Sequence, residues 1–587
     1  MSTLHQLQQA SSLHDLAALL NYSPSSLAYL IYKKPAKYKQ FEIPKCNGTP
    51  RVINAPCDEL KALQRKIKVL LDKCLDAIEQ AQGVRSSISH GFRRGHSIVS
   101  NADVHKKRTY VFNVDLEGFF DSIHIGRIRG FLIANNDFRL HPNVATILAQ
   151  IICHDDKLPQ GSPTSPLASN LIGHLLDLRL VQLAKKTGCS YSRYADDLTF
   201  SSNKSDFPVE VAYKIDDEHT WIPGSSLLKV IYKCGFKLNH NKTRMQYARG
   251  RQSVTGLTVN KVPNTSAELR RAVRAMTHSL FLDGQYRTIK QPGDSGDPEK
   301  LVKSYTQLAS LEGYFSYIYM VDNFNRKKII ENSSIKMENI PKTALENLHG
   351  DFLFYRYFYA NSKPTIVCEG KTDNIYLTCA IKSLMGSFPR LCKSNKEGKA
   401  NLKVRFINYS ELTHRMLGLN GGSADLAALI RAYAKKCAPY KAHPPLHPTI
   451  IVVDNDAGSD PIFRAIKDTT GNRYEIPKGK GTVLDQSKTL YYIAQNLYVV
   501  LTPLKKDGGP TMMENFFTTK LLASRWEGKE FEVFNKNSPS GIYSKQIFAQ
   551  RIVKSDQANI DFIKFKPILS SITEAIRHYP AIKVPKK

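Results

Sequence analysis

Arg193-Tyr194-Ala195-Asp196-Asp197-Leu198-Thr199-Phe200 reads as a strand, a tight turn and a second strand, with two adjacent carboxylates set among apolar and aromatic positions. Hairpin turns are ordinarily built from Asn-Gly or Asp-Gly. Two carboxylates at such a turn repel each other unless a cation lies between them, and carboxylate oxygens are the ligands Mg²⁺ prefers. Alone, an Asp-Asp turn is more simply a solvated acidic loop. The residues around it decide between the two.

Upstream, YVFNVDLEGFFDSI (110–123) is an apolar, β-branched strand that delivers Asp115 at its exit and turns through Gly118 into Phe119, Phe120 and Asp121. A carboxylate at a strand end is a rigid ligand. The segment LPQGSPTSPLASNLIGHLLDLRL (158–180) opens on a Gln160-Gly161-Ser162-Pro163 loop, whose small residues let a ligand lie on the backbone, and continues as an amphipathic helix. Earlier, FEIPKCNGTPRVINAP (41–56) places Lys45 and Arg51 on either side of an Asn-Gly turn, either as a solvated hairpin or as a cationic grip on a triphosphate. A Lys- and Leu-rich helix follows at about 58–80, and then the basic run HGFRRGHSIVSNADVHKKR (90–108), which suits phosphate contacts. Residues 1–32 read as two short capped helices without evident chemistry.

The chain has 587 residues, which implies about two to four domains. Lys and Arg number 83 against 52 Asp and Glu, a net charge of +31, and a surplus of that size on surfaces attracts nucleic acid. No apolar run approaches the roughly 20 residues that cross a bilayer, and no secretory signal pattern opens the chain, so no membrane partner is expected. The ten cysteines form no CxxC pair and no Cys/His metal spacing, which argues against zinc and fits a reducing cytoplasm.

Asp115, the Gln160 loop and Asp196-Asp197, in that order, resemble the palm of a reverse transcriptase. Phosphoryl transfer to a primer hydroxyl uses two divalent ions about 4 Å apart, and carboxylates from neighbouring strands can bridge them. Asn101-Ala102-Asp103-Val104-His105 is similar to the NAxxH signature, and Val254-Thr255-Gly256 to the VTG signature, of the bacterial retron reverse transcriptases. That resemblance spans roughly residues 1–330. It implies Asp115, Asp196 and Asp197 as ligands of two Mg²⁺, Lys45 and Arg51 on the triphosphate, and Gln160 near the nucleotide. It also implies Phe120 as the gate excluding a 2′-hydroxyl, with Phe119 leaving the register open, and Lys242 as a candidate proton donor. Asn101, His105, Val254, Thr255 and Gly256 stand as signature residues and RNA contacts. The family copies a cognate noncoding RNA into single-stranded DNA from dNTPs, priming at a 2′-hydroxyl to give a branched product. No RNase H-like carboxylate set is evident, so a host RNase H is the expected partner.

The second half changes character. Residues 331–362 read as a polar stretch and an aromatic helix linking two domains. Then TIVC (365–368), KVRFIN (403–408), TIIVV (449–453) and LYVVLTP (497–503) alternate with helices, the pattern of a parallel sheet whose ligands bind at the carboxyl ends of its strands. Those ends carry Glu369, Asp454 and Asp456. Strand-end acids also serve as helix caps, but CEGKTD with VVDNDAG resembles a Toprim domain. That resemblance implies Asp454 and Asp456 on one or two Mg²⁺, Glu369 as acid/base or ligand, and Asp373 as the extra acid of OLD-like Toprim nucleases. Glu514 could complete the set.

The expected fold is therefore multidomain α/β and α+β: a right-hand polymerase followed by a Toprim Rossmann-like α/β domain. Residues 1–260 would be fingers and palm, 261–330 a helical thumb, 331–362 a linker helix, 363–505 Toprim, and 506–587 an extension without an assigned role. The expected activity is RNA-directed DNA synthesis fused to a nuclease effector, acting on DNA or RNA, in antiphage defence. Two alternatives stand beside it. One is an RNA-binding scaffold with secondary catalysis. The other is a Toprim primase or topoisomerase, disfavoured by the missing zinc module and the short remaining chain.

Overall fold

The computed structural model describes the chain apart from residues 1, 36, 45–49, 84–87, 216–219, 288–303, 306–307, 334, 396, 472–473, 477–478, 482–485, 533–540 and 582–587. Lys45 lies outside the described residues. Two compact units emerge. Met1–Arg270 and Ser316–Asn339 belong to the first, while Arg271–Thr288, Lys303–Phe315 and Ile340–Lys587 belong to the second.

In the first unit, β1 (Tyr38–Pro44) and β2 (Pro50–Pro56) pair antiparallel as an exposed hairpin. α1 (Asp58–Gln82) follows, burying Leu60, Leu63, Ile67, Leu70, Leu71 and Cys74 at helical spacing. The short helix α2 (Ile98–Val104) precedes β3 (Tyr110–Glu117), and α3 (Ser165–Thr187) leads into β4 (Ser190–Tyr194) and β5 (Asp197–Ser202). With β6 (Lys237–Tyr247) the four strands form an antiparallel sheet in the order β4-β5-β3-β6. One face packs on the helices. Phe112, Val114, Leu198 and Phe200 share one buried core with Ile172, Leu176 and Leu180 of α3, and with Leu7, Leu16 and Leu27 of the N-terminal helices. The two-stranded hairpin of β7 (Ser253–Val254) and β8 (Leu257–Thr258) closes a smaller core with Val99, Ala102, Val111, Val259 and Val321. Two long helices, α4 (Ala267–Asp283) and α5 (Leu308–Glu331), occupy the stretch read as thumb, and each is divided between the two units.

The second unit is built on a seven-stranded sheet. Its strands are β9 (Thr365–Cys368), β10 (Arg405–Phe406), β11 (Thr449–Val453), β12 (Tyr474–Ile476), β13 (Gly479–Gly481), β14 (Leu490–Ala494) and β15 (Leu497–Leu501), ordered β10-β9-β11-β15-β14-β12-β13. The first four run parallel and the rest antiparallel. Every residue of β9, β11 and β15 is buried, as expected for parallel strands covered on both faces. The residues read as a linker are packed. α6 (Ala344–Phe354) starts from a Thr343/Glu346 capping box and buries Phe352, Leu353 and Phe354, and Arg415 ion-pairs with Glu346 at 3.1 Å. Residues after 505 supply Phe517, Phe548, Phe565, Ile568 and Leu569 to the core that holds Ile366, Val452 and Tyr498.

Beneath the sheet, the buried Tyr433 hydroxyl lies 3.0 Å from Thr449 Oγ1, 2.9 Å from Asn496 Oδ1 and 3.3 Å from the Phe358 carbonyl. Tyr433→Phe leaves the buried Asn496 Oδ1 without its donor, so thermal denaturation is expected to show a loss of about 1–3 kcal/mol.

Candidate active sites

Ala195-Asp196 is the two-residue connection between β4 and β5, with Tyr194 of β4 and Asp115 of β3 each opposite Asp197 at the start of β5. Ala195 takes φ 56, a left-handed conformation unfavourable to a residue with a Cβ, so its surroundings must hold it there. Arg193 does so. Fully buried, it grips Asp177 of α3 through Nε to Oδ1 at 2.8 Å and Nη2 to Oδ2 at 2.7 Å, and its Nη1 donates to the Ala195 carbonyl at 3.1 Å. Tyr191 donates its hydroxyl to the same Asp177 at 2.9 Å. From the other side, His90 N donates to the Arg193 carbonyl at 2.8 Å, and Asn170 Nδ2 donates to the Gly91 carbonyl at 2.8 Å. Gly91 is required by close approach, since a Cβ there would lie 2.6 Å from Ala195 N. Sequence reasoning missed Arg193, Asp177, Asn170 and Gly91; the available signal was a pair of opposite charges within otherwise apolar segments.

Asp115 is buried at the end of β3, and Lys242 Nζ donates to both of its oxygens, at 3.0 and 2.9 Å. Lys242 reaches it because β6 bulges between the pairs Asn113–Arg244 and Asp115–Asn239. Burial, followed by the charge of Asp115, raises Asp196. Asp197 keeps a face open to solvent, yet the surrounding protein, then Asp196 and Asp115, push it up to about 7. Partial burial would lower the Lys242 ammonium, but Asp115 with Asp196 and Asp197 outweighs it and holds the group above its ordinary value. The donor set is all carboxylate oxygen, the chemistry hard divalent cations take. Among the described residues no three acidic, His or Cys side chains already stand as a closed metal-holding group; at Asp115 the Lys242 ammonium spans the two oxygens a cation would use.

Arg51 is exposed on β2, and its positive charge acts on Asp196. The Gln160 carbonyl accepts from Asn54 N at 2.8 Å, and Gly161 at φ 126 comes so close to Asn54 that a Cβ would sit 2.8 Å from its carbonyl oxygen. The loop thus seats against β2. Phe119 is buried and stacks on Phe236 at 5.6 Å, whereas Phe120 is half-buried beside it.

The signature residues need a correction. Asn101, His105 and Val254 are fully buried, so their side chains are not RNA contacts. Ser192 Oγ donates to Asn101 Oδ1 at 2.7 Å and lies 2.8 Å from His105 Nε2, while His105 Nδ1 lies 2.7 Å from Ser201 Oγ. Burial lowers His105 to about 3, so the ring is neutral. With Ser192 spending its proton on Asn101, Nε2 carries the hydrogen and Nδ1 accepts from Ser201. The histidine therefore clamps β4 to β5 behind the acidic turn. Thr255 (φ 47) and Gly256 (φ 81) are the central residues of the β7–β8 turn, both left-handed, as a type I′ hairpin demands. Thr255 Oγ1 donates to the Ile98 carbonyl at 3.0 Å, fastening this hairpin to the start of α2. Gly256 remains exposed.

A second acidic cluster occupies the carboxyl ends of β9 and β11. Glu369 Oε2 accepts from Asp454 N at 3.4 Å, Asp373 Oδ2 from Gly370 N at 2.7 Å, and Asp454 Oδ1 from Met513 N at 2.8 Å. Glu514 is buried, with Lys545 Nζ 3.0 Å from its Oε1. Burial pushes Glu369 up to about 7, helped by Asp456 and Asp373. Asp373 and Asp454 are also raised, chiefly by burial and then by their acidic neighbours. Asp456 Oδ1 accepts from Gly458 N at 2.8 Å and so caps a helical turn. Residues 506–587, unassigned from sequence, supply Glu514 and Lys545 to this cluster.

A family model for reverse transcriptase (RNA-dependent DNA polymerase) matches residues 43–261, which contain the whole Asp115–Asp197–Lys242 arrangement. The retron Mx65 reverse transcriptase of Myxococcus xanthus is 33% identical over 332 residues, 52% of this chain and 68% of that protein. The chain belongs to the retron reverse transcriptases. The retron Ec86 reverse transcriptase of Escherichia coli is 29% identical, covering 54% of this chain and 88% of the relative. The retron Mx162 reverse transcriptase of Myxococcus xanthus is 32% identical, covering 54% and 65%. As a member of this family the chain is an RNA-directed DNA polymerase of mixed α/β fold. Among the described residues no helix is long and apolar enough to cross a membrane.

The acidic turn makes a pH prediction. The folded value of Asp197, about 7, lies above the ordinary 3.8, so the folded state holds this proton more tightly than the unfolded chain does. Its charge opposes folding above about pH 7, and that opposition fades as pH falls toward 4. In metal-free buffer at pH 8, Asp197→Asn is expected to melt a few degrees above the unsubstituted protein. The gap should narrow at pH 5.

Proposed function

We propose that the first unit makes its DNA at Asp115, Asp196 and Asp197, from a cognate structured RNA primed at a 2′-hydroxyl. The observation that carries this is the pairing of Asp115 with Asp197 across adjacent strands, under a lysine already seated on both Asp115 oxygens. Two Mg²⁺ held by these carboxylates would activate the primer hydroxyl and neutralise the triphosphate. Lys242 then releases Asp115 and stands beside the leaving group with a proton to give. Arg51 grips the triphosphate, a role the family resemblance also gives to Lys45. Gln160 and the half-buried Phe120 border the sugar, Phe120 where a 2′-hydroxyl would clash. The hairpin with the N-terminal helices acts as fingers, the four-stranded sheet as palm, and α4 with α5 as a thumb that reads RNA by shape and backbone. The net charge of +31 supports a polyanionic partner.

For the second unit we infer a Toprim nuclease of the OLD-like type, serving antiphage defence. Its support is a set of acids gathered at the carboxyl ends of two parallel neighbours, β9 and β11, where ligands of such sheets bind. Glu369, Asp373, Asp454 and Asp456 would hold one or two Mg²⁺ that activate water toward a phosphodiester in DNA or RNA. Glu514 and Lys545 complete the polar wall. The DNA made by the first unit would restrain this nuclease, and phage interference with that DNA would release it. A host RNase H would trim the template.

Purified with its RNA, the chain is expected to carry RNA joined to short DNA, and Asp197→Asn or Asp115→Asn to carry RNA alone, with primer extension reduced at least about a thousandfold. Recovery of branched DNA from either variant would end the assignment. Glu369→Gln and Asp454→Asn should keep DNA synthesis while losing Mg²⁺-dependent nuclease activity and protection of cells from phage. Protection that survives both substitutions would remove the effector role.

A further inference from the structure

The run His90-Gly91-Phe92-Arg93-Arg94-Gly95-His96 reads from composition only as a phosphate-contacting loop, yet it holds a strongly constrained aromatic near the polymerase acids. Phe92 takes φ 58. For a bulky residue this is a true outlier, kept only where the surroundings enforce it. Both neighbours are fastened. Gly91 is pressed against Ala195 and accepts from Asn170 Nδ2, while Arg93 ion-pairs with Glu79. The result is an apolar ring half in water, at 50% exposure, edge-on to Phe120 with 6.4 Å between centroids and 61° between planes. Phe120 in turn meets the core ring of Phe119 edge-on at 5.6 Å, and Phe119 stacks on Phe236. Phe120 is thus held between a buried ring and an exposed one. A strained backbone that leaves a large ring in solvent gains little for folding. Its gain lies in fixing the ring it touches.

We propose that Phe92 is a positioning residue for nucleotide selection: it braces Phe120 from the solvent side, so that the surface Phe120 offers the incoming sugar does not yield to a 2′-hydroxyl. The inference rests on the reading of Phe120 as the sugar gate. Its clamp to the Asp196-Asp197 turn through Gly91 couples the brace to the acids, so sugar position and metal ligands share one rigid support.

The test is single-nucleotide incorporation by the full chain with its RNA, with matched dNTP and rNTP, separating KM from kcat. Phe92→Leu is expected to lower the preference for dNTP over rNTP roughly three- to tenfold, as loss of an edge-to-face aromatic contact would. The change should come through the rNTP and dNTP KM ratio, and Phe92→Tyr should restore it. Phe120→Ala should lower the preference further, and Phe92→Leu added to Phe120→Ala should change it no more, because the brace acts through the ring it supports. An unaltered preference in Phe92→Leu, with a loss in Phe120→Ala, overturns the role of Phe92 and leaves the gate standing. An unaltered preference in both overturns the gate itself. A loss in Phe92→Leu that Phe92→Tyr does not restore, or that adds fully to Phe120→Ala, also refutes the brace.

Discussion

Three carboxylates held within reach of one another repel, and everything around Asp115, Asp196 and Asp197 is arranged to keep them together. Burial, and after it this repulsion, raises Asp196 and Asp197, and Lys242 lies across both oxygens of Asp115. Their backbone is held by a different charge. Arg193 is buried and grips Asp177, so neither can be removed without leaving the other unpaired in the core. Because the same guanidinium also holds the Ala195 carbonyl, the left-handed turn that presents the acids is tied to α3.

Behind that turn, Asn101, His105 and Val254 of the signature residues are internal. His105 ties β4 and β5 together through serine hydroxyls, Asn101 holds the β4 serine, and Thr255 ties the β7–β8 hairpin to the start of α2. A neutral histidine can bridge two hydroxyls because it offers one donor and one acceptor in a fixed plane. A signature in a polymerase thus marks the frame of the acids as readily as the surface that meets RNA.

The second acidic cluster obeys the same physics on a different scaffold. Parallel strands end together, so Glu369 and Asp454 arrive side by side without any turn being strained. The chain continues past the sheet to bring Glu514 and Lys545 back to it, and Lys545 takes the position toward Glu514 that Lys242 takes toward Asp115. In both places an ammonium offsets clustered negative charge. The stretch after residue 505 is therefore part of this cluster's construction as well as of its core.

Much of this was written locally. The apolar, β-branched run that opens 110–123 and the apolar runs at 365–368 and 449–453 defined β3, β9 and β11, because a strand's burial is recorded in its own residues. The acids at the strand exits could be named for the same reason. Four things needed the folded chain. Phe119 and Phe120 are identical in sequence terms, and only packing on Phe236 sent one into the core. Lys242 reaches Asp115 through a bulge in β6 that no pattern announces. Arg193 looked like a flanking residue, yet its partner lies on α3, and Asn101 and His105 looked like surface contacts until the serines of β4 and β5 enclosed them. Sequence determined which residues carry charge and which strands deliver them. Tertiary structure decided which charges meet, because a buried ion pair or hydrogen bond is a property of two distant segments and is written in neither alone.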